Sequence, residues 1–350
     1  MQRFMVRTIA VRTIALALFV GFVVAGFSGT ALAQYKLAKL VSNQSGQAKN
    51  TDPLLVNGWG LVYAPGGAFW VSDEGTGWST LYDGMGNPQA LQVVIPAFNS
   101  SYGGSPTGIV YNGSQEFNVE GWASIFLFAT LDGTISGWAP QSNPTSAIVA
   151  VNNWSSGAVY TGLAITNYSS GNFLFAADTA NEKVDIYDGS FNFVSSFTDS
   201  TLPANFTPFG IQDINGQVYV SFADSTGGAG GYIDIFTEAG VFVKRLAQGK
   251  PLNQPWGFAV APKNFGSLSG ALLISNNLNS ASTINGFSLK NGQFVGTIKN
   301  SAGKPILIDQ LWGIEFGGGT AANGNKNQLF FAAGPDNNAN GLFGLIEPVK

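Results

Sequence analysis

The chain has 350 residues, 45% of them hydrophobic, which is ample for a packed core and excludes a disordered protein. Charged residues make up only 10%, Gly and aromatics are abundant, and there is neither His nor Cys. Strands and turns are therefore favoured over solvent-facing helices, while disulfides, thiol nucleophiles, Ser-His-Asp triads, haem attachment and His/Cys metal sites are ruled out.

Residues 1–33 read as an export signal. Arg3, Arg7 and Arg12 precede an apolar run from Ile14 to Ala25, and Ala31-Leu32-Ala33 supplies a small-x-small cleavage pattern. The run is shorter than the roughly 20 residues that a spanning helix needs, so no membrane span is expected after cleavage. Residues 34–350 then form one domain, secreted or periplasmic, with 13 basic and 20 acidic side chains and a net charge of −7. With no basic cluster beyond Lys244-Arg245, nucleic acid and anionic lipid have nothing to hold.

Along the rest of the chain a bulky residue followed by Gly and alternating apolar residues recurs six times. The dipeptides are Trp59-Gly60, Thr107-Gly108, Thr161-Gly162, Phe209-Gly210, Trp256-Gly257 and Trp312-Gly313, with glycines 48, 54, 48, 47 and 56 residues apart. Each opens a unit of short apolar strands. The second strand ends in a small or polar residue, as in Phe69-Trp70-Val71-Ser72-Asp73; the third resembles Lys183-Val184-Asp185-Ile186-Tyr187; a fourth, such as 90–95 or 241–245, leads to the next unit. Six repeats of four short strands predict an all-β, six-bladed β-propeller with four antiparallel strands per blade. The last unit supplies three strands before Lys350, and the run Tyr35 to Val41 has no unit of its own. The N-terminal strand is therefore expected to complete the last blade. Glycine after the bulky residue is expected to let the innermost strand approach its neighbour at the crowded axis.

The rhythm of Pro-x-Gly-Ile, an apolar strand ending near Asp, and a strand followed by Asp-Gly resembles the NHL-type repeat. Asn57-Gly58-Trp59-Gly60, Phe69 to Gly77 and the closing Gly341-Leu342-Phe343-Gly344-Leu345-Ile346 resemble a family of uncharacterised exported bacterial propellers. Many of its members carry a C-terminal Pro-Glu-Pro sorting tail; this chain stops without one. The resemblance implies the fold and brings no activity with it.

Three constellations stand out. The aromatics Trp59, Phe209, Trp256 and Trp312 hold equivalent places beside the inner strands, where they either stack on sugar rings at the channel mouth or wedge between blades as core. Asp73, Asp178, Asp224, Asn276 and Asp336 follow second strands and offer hard oxygen ligands suited to Ca²⁺, or else cap their own turns. Gln212, Asp213 and Glu315 lie on or just after inner strands, and Glu315 is the better acid/base candidate of these. The Gly-rich stretches 227–231 and 317–320 lack the Lys-Ser/Thr and following helix of a phosphate loop. The leading reading is an exported, non-catalytic propeller that binds a glycan, polymer or envelope protein through one face of its channel. The alternative is a calcium-dependent hydrolase resembling the sugar lactonases, with a carboxylate and amide metal site at the channel mouth.

Overall fold

A computed structural model describes residues 34–168 and 171–349; the expected export signal lies outside the described residues. The innermost strands of the six sheets are Gly58–Tyr63, Pro106–Tyr111, Tyr160–Tyr168, Phe206–Ile214, Pro255–Val260 and Leu311–Phe316. Each of the first five heads a four-stranded antiparallel sheet, and the six inner strands adjoin one another in a closed ring. Helix among the described residues is confined to the single turns Trp154–Ser156 and Gly266–Leu268. The expected six-bladed propeller is the fold.

Closure comes from the two ends of the described chain. In blade six, Leu311–Phe316, Leu329–Ala333 and Leu342–Pro348 are followed outward by Tyr35–Ser42. This strand runs antiparallel to Leu342–Pro348, with Tyr35 opposite Pro348 and Ser42 opposite Leu342. Tyr35 donates its phenolic hydrogen to the Phe265 carbonyl at 2.7 Å, and Lys36 pairs with Glu347 at 2.8 Å. Leu40 and Val41 are buried with Leu55, Phe69, Phe330 and Phe343, at the seam of blades six and one. The seams between other blades are built alike: Trp70, Phe126, Phe128 and Trp138 fill the junction of blades one and two.

The recurring dipeptide acquires a geometric meaning. Every inner strand breaks register with its neighbour across it, between Gly58 and Leu61, Tyr160 and Gly162, Pro208 and Ile211, Pro255 and Phe258, Leu311 and Ile314, and opposite Phe128 and Thr130 in blade two. A β-bulge re-aims the side chains on either side of it. Here it places the glycine against the next blade: a Cβ on Gly210 would lie 2.0 Å from the Trp256 carbonyl oxygen, and one on Gly60 2.3 Å from that of Thr107. The same relation closes the ring, with Gly313 against the Trp59 carbonyl. Hydroxyls stitch these approaches. Thr107 donates to the Tyr160 carbonyl at 2.6 Å, Thr161 to that of Phe209 at 2.8 Å, and Ser275 to that of Trp312 at 2.7 Å.

One expected strand is much shorter than its pattern suggested. Of residues 90–95 only Val93–Val94 form a strand on blade one, and Ile95 adds one N–H bond to the Gly77 carbonyl. Val94 gives its N–H to the Thr145 carbonyl, its carbonyl accepts from Ala147, and Pro96 has no N–H to extend a ladder. The outer edge of blade one is thus tied to blade two.

Candidate active site at the propeller axis

Two of the sequence constellations gather at one end of the axis. Trp59, Trp256 and Trp312 form a buried cluster with Phe209 packed against it. Trp59 and Trp312 stack at 3.6 Å, and Trp256 meets both edge-on at 6.3 and 6.1 Å. The Trp256 indole N–H reaches from blade five to the Thr161 carbonyl of blade three at 2.9 Å, and the Trp312 N–H reaches Asn57 Oδ1 at 2.9 Å. Of the two readings of these aromatics, sugar stacking at the mouth or core, the burial fits the second: the faces are spent on one another, and the cluster is a plug. The bulge turned these residues inward.

Oxygen donors after the second strands do not gather at all. Asp178 accepts from the Val159 N–H at 3.0 Å and from Asn181 Nδ2 at 2.7 Å; Asp224 accepts from the Thr226 N–H and hydroxyl at 2.8 and 2.6 Å. Asn276 bridges the Asn253 N–H and the Pro251 carbonyl, and Asp336, with φ of 58°, accepts from Asn340 Nδ2 at 2.6 Å. The bonds of Asp224 and Asp336, and that of Asp178 to Asn181, cap turns, while Asp178 and Asn276 also tie their strand ends to Val159 and to Pro251 and Asn253. Asp73 is fully buried, and burial, reinforced by the charge of Asp52, holds its carboxyl well above the usual carboxylate range. Among the described residues no three acidic side chains come together to hold a metal ion. Of the expected calcium set Asp73, Asp178, Asp224, Asn276 and Asp336, all but Asp73 hold hydrogen-bond partners close to their own strand ends.

Beyond the tryptophan plug the inner strands enclose a cavity of about 390 Å³. Its walls are the later halves of the inner strands, Trp256 contributes to its floor, and its polar groups are Tyr63, Tyr111, Gln212, Asp213 and Glu315. No Lys or Arg lines it. Glu315 is the one half-buried residue of an otherwise buried strand. Its Oε1 accepts from the N–H of Phe316 at 3.0 Å. Burial pushes the carboxyl up to about 7, against the opposing pull of that N–H. Tyr63 is pushed up to about 12 by burial and by the nearby Glu315 charge. Burial also raises Asp213, against one long bond at 3.4 Å from the Gly216 N–H. The Glu315 proton is thus exchangeable near neutral pH, the property wanted of an acid/base group.

Glu315 also makes stability depend on pH. Its ordinary value of 4.5 applies to the unfolded chain, which therefore releases the proton first as pH rises. Stability should fall between about pH 4.5 and about pH 7 and then level off, by about 3 kcal/mol on account of this group. Urea melts at pH 5 and pH 8 check this: Glu315→Gln should narrow the gap between them, and an unchanged gap would refute the assignment.

The ring of six sheets around a one-ended axial cavity defines the class, a six-bladed β-propeller with a pocket on its axis. No family model matches the chain. It is 33% identical over 339 residues to uncharacterized protein R648 of Acanthamoeba polyphaga mimivirus, covering 90% of this chain and 81% of that one. It is 30% identical over 340 residues to uncharacterized protein L690 of the same virus, covering 90% and 86%. The chain belongs to the family of these mimivirus proteins. Its relatives here are viral, where the sequence motifs had suggested bacterial ones. Among solved structures, a putative gluconolactonase superposes with a TM-score of 0.55 at 12% identity, over 91% of this chain and 94% of that one. The virginiamycin B lyase of Staphylococcus aureus gives 0.53 at 14%, over 90% and 100%. At such identities the likeness is one of fold.

Proposed function

We propose that the protein hydrolyses a small lactone or ester in the axial cavity, with Glu315 as the proton acceptor. The observation that carries this is a carboxyl poised near neutral pH on the wall of a cavity that the tryptophan plug closes at one end. In the ionised form Glu315 takes a proton from an attacking water; in the protonated form it returns one to the leaving oxygen. Solved propellers of similar fold are named as gluconolactonases and a lyase, which supports an enzymatic reading. The reading rests on Glu315, and no step of it is routed through a metal. The leader-like pattern of residues 1–33 supports export, and in our reading the activity belongs outside the cytoplasm.

Turnover of a panel of lactones and aryl esters tests this. Glu315→Gln should lower kcat/KM by about 10²- to 10⁴-fold while the protein stays folded. Turnover that survives the substitution would refute the role of Glu315. A panel left untouched by the wild-type protein would favour the second reading, a non-catalytic binding pocket, which the largely apolar walls also suit.

A further inference from the structure

We infer that the ligand of the axial cavity carries a compact organic cation, an alkylammonium group, and that Asp213 selects it. This rests on the cavity being the functional site and adds the substrate class: a lactone or ester bearing a positive charge. Asp213 lies at the end of the inner strand of blade four and Glu315 near the end of that of blade six, and both line the cavity. Neither belongs to any ion pair among the described residues, where Lys36, Lys183 and Arg245 engage Glu347, Asp185, Asp199 and Asp234. Asp213 Oδ2 is buried and has no hydrogen-bond partner, and Oδ1 has only the 3.4 Å bond from Gly216. Even a half-buried carboxylate without a counter-charge is costly, and the wall holds no cation to relieve it. A ligand can.

The surroundings decide which kind of cation. Calcium needs six to eight oxygens at about 2.3–2.6 Å, whereas the cavity offers two carboxyls on separate blades and one amide, Gln212. What it does offer beside them is two tyrosines, Tyr63 and Tyr111, and aromatic rings attract ammonium groups. Anionic ligands meet two like charges and no N–H-bearing cation. Division of labour follows, with Asp213 holding the ligand's charge and Glu315 moving the proton.

Isothermal titration of the whole protein with choline and with its uncharged carbon isostere, 3,3-dimethylbutan-1-ol, tests this, with calcium chloride as a third probe. At pH 8 choline should bind at least tenfold more tightly than the alcohol, and the ratio should be smaller at pH 5, where Glu315 has taken up its proton. Asp213→Asn should remove the preference at pH 8 while leaving the alcohol's affinity unchanged. Equal affinity for the two probes, absence of choline binding, or calcium that displaces choline would each overturn the inference. The comparison of choline with the alcohol on the wild-type protein decides the charge preference even where the variant misfolds. Loss of the charge preference with Glu315-dependent turnover intact overturns the cation alone; turnover indifferent to Glu315 with the preference intact overturns the hydrolase reading alone.

Discussion

Removing residues 34–42 should abolish cooperative folding. Tyr35, Leu40 and Val41 are all buried, and each is worth roughly 1.5–3 kcal/mol on burial, a combined loss of roughly 5–9 kcal/mol. A domain has about 5–15 kcal/mol to lose. The deletion also uncovers the edge of Leu342–Pro348, a strand with five buried positions, and exposed apolar edges recruit other chains. We expect a broad, low-temperature melt by circular dichroism and aggregates on gel filtration, with a synthetic peptide of residues 34–42 restoring the sharp transition. A truncated protein that melts within a few degrees of the full chain would show that the ring does not depend on this latch.

Trp312→Ala should cost about 3–5 kcal/mol, the range for deleting a large buried aromatic. The residue is 4% exposed, stacks on Trp59 at 3.6 Å and donates to Asn57 at 2.9 Å, so the change opens a void and leaves the Asn57 oxygen without its indole partner. Urea denaturation followed by far-ultraviolet circular dichroism measures the loss. A variant of undiminished stability that had lost the power to retain a glycan would return the aromatics to the sugar-stacking role.

Much of the architecture was legible because it repeats. Six bulky-Gly dipeptides at near-constant spacing give the blade count, and the unit short of one strand points to Tyr35–Ser42 as its completion. The close approach at Gly60 and Gly210 could likewise be inferred from the missing side chain. Side-chain direction could not. Strict alternation does not survive a bulge, and the bulge at Trp312-Gly313 decides that the indole faces the axis. A lone Gly inside a strand pattern is the local sign of such a bulge, and it was present in all six units. Asp178 and Asp224 carried two readings, turn cap or metal ligand, and it is the partners the fold gives their carboxylates, Asn181 and Thr226, that speak for the turn cap. Glu315 was visible as an inner-strand carboxylate. Its shifted proton affinity depends on burial by elements far away in sequence, Tyr63 among its neighbours, which no local pattern reports.

The tryptophan plug makes the axial cavity a blind alley. A molecule that enters must leave by the doorway it came through; on the proposed hydrolase reading, a spent product has to depart before the next substrate arrives. A long polysaccharide or peptide cannot be threaded from one side of the disc to the other; it could be engaged only by its tip. Traffic through this protein is therefore one molecule, or one chain end, at a time.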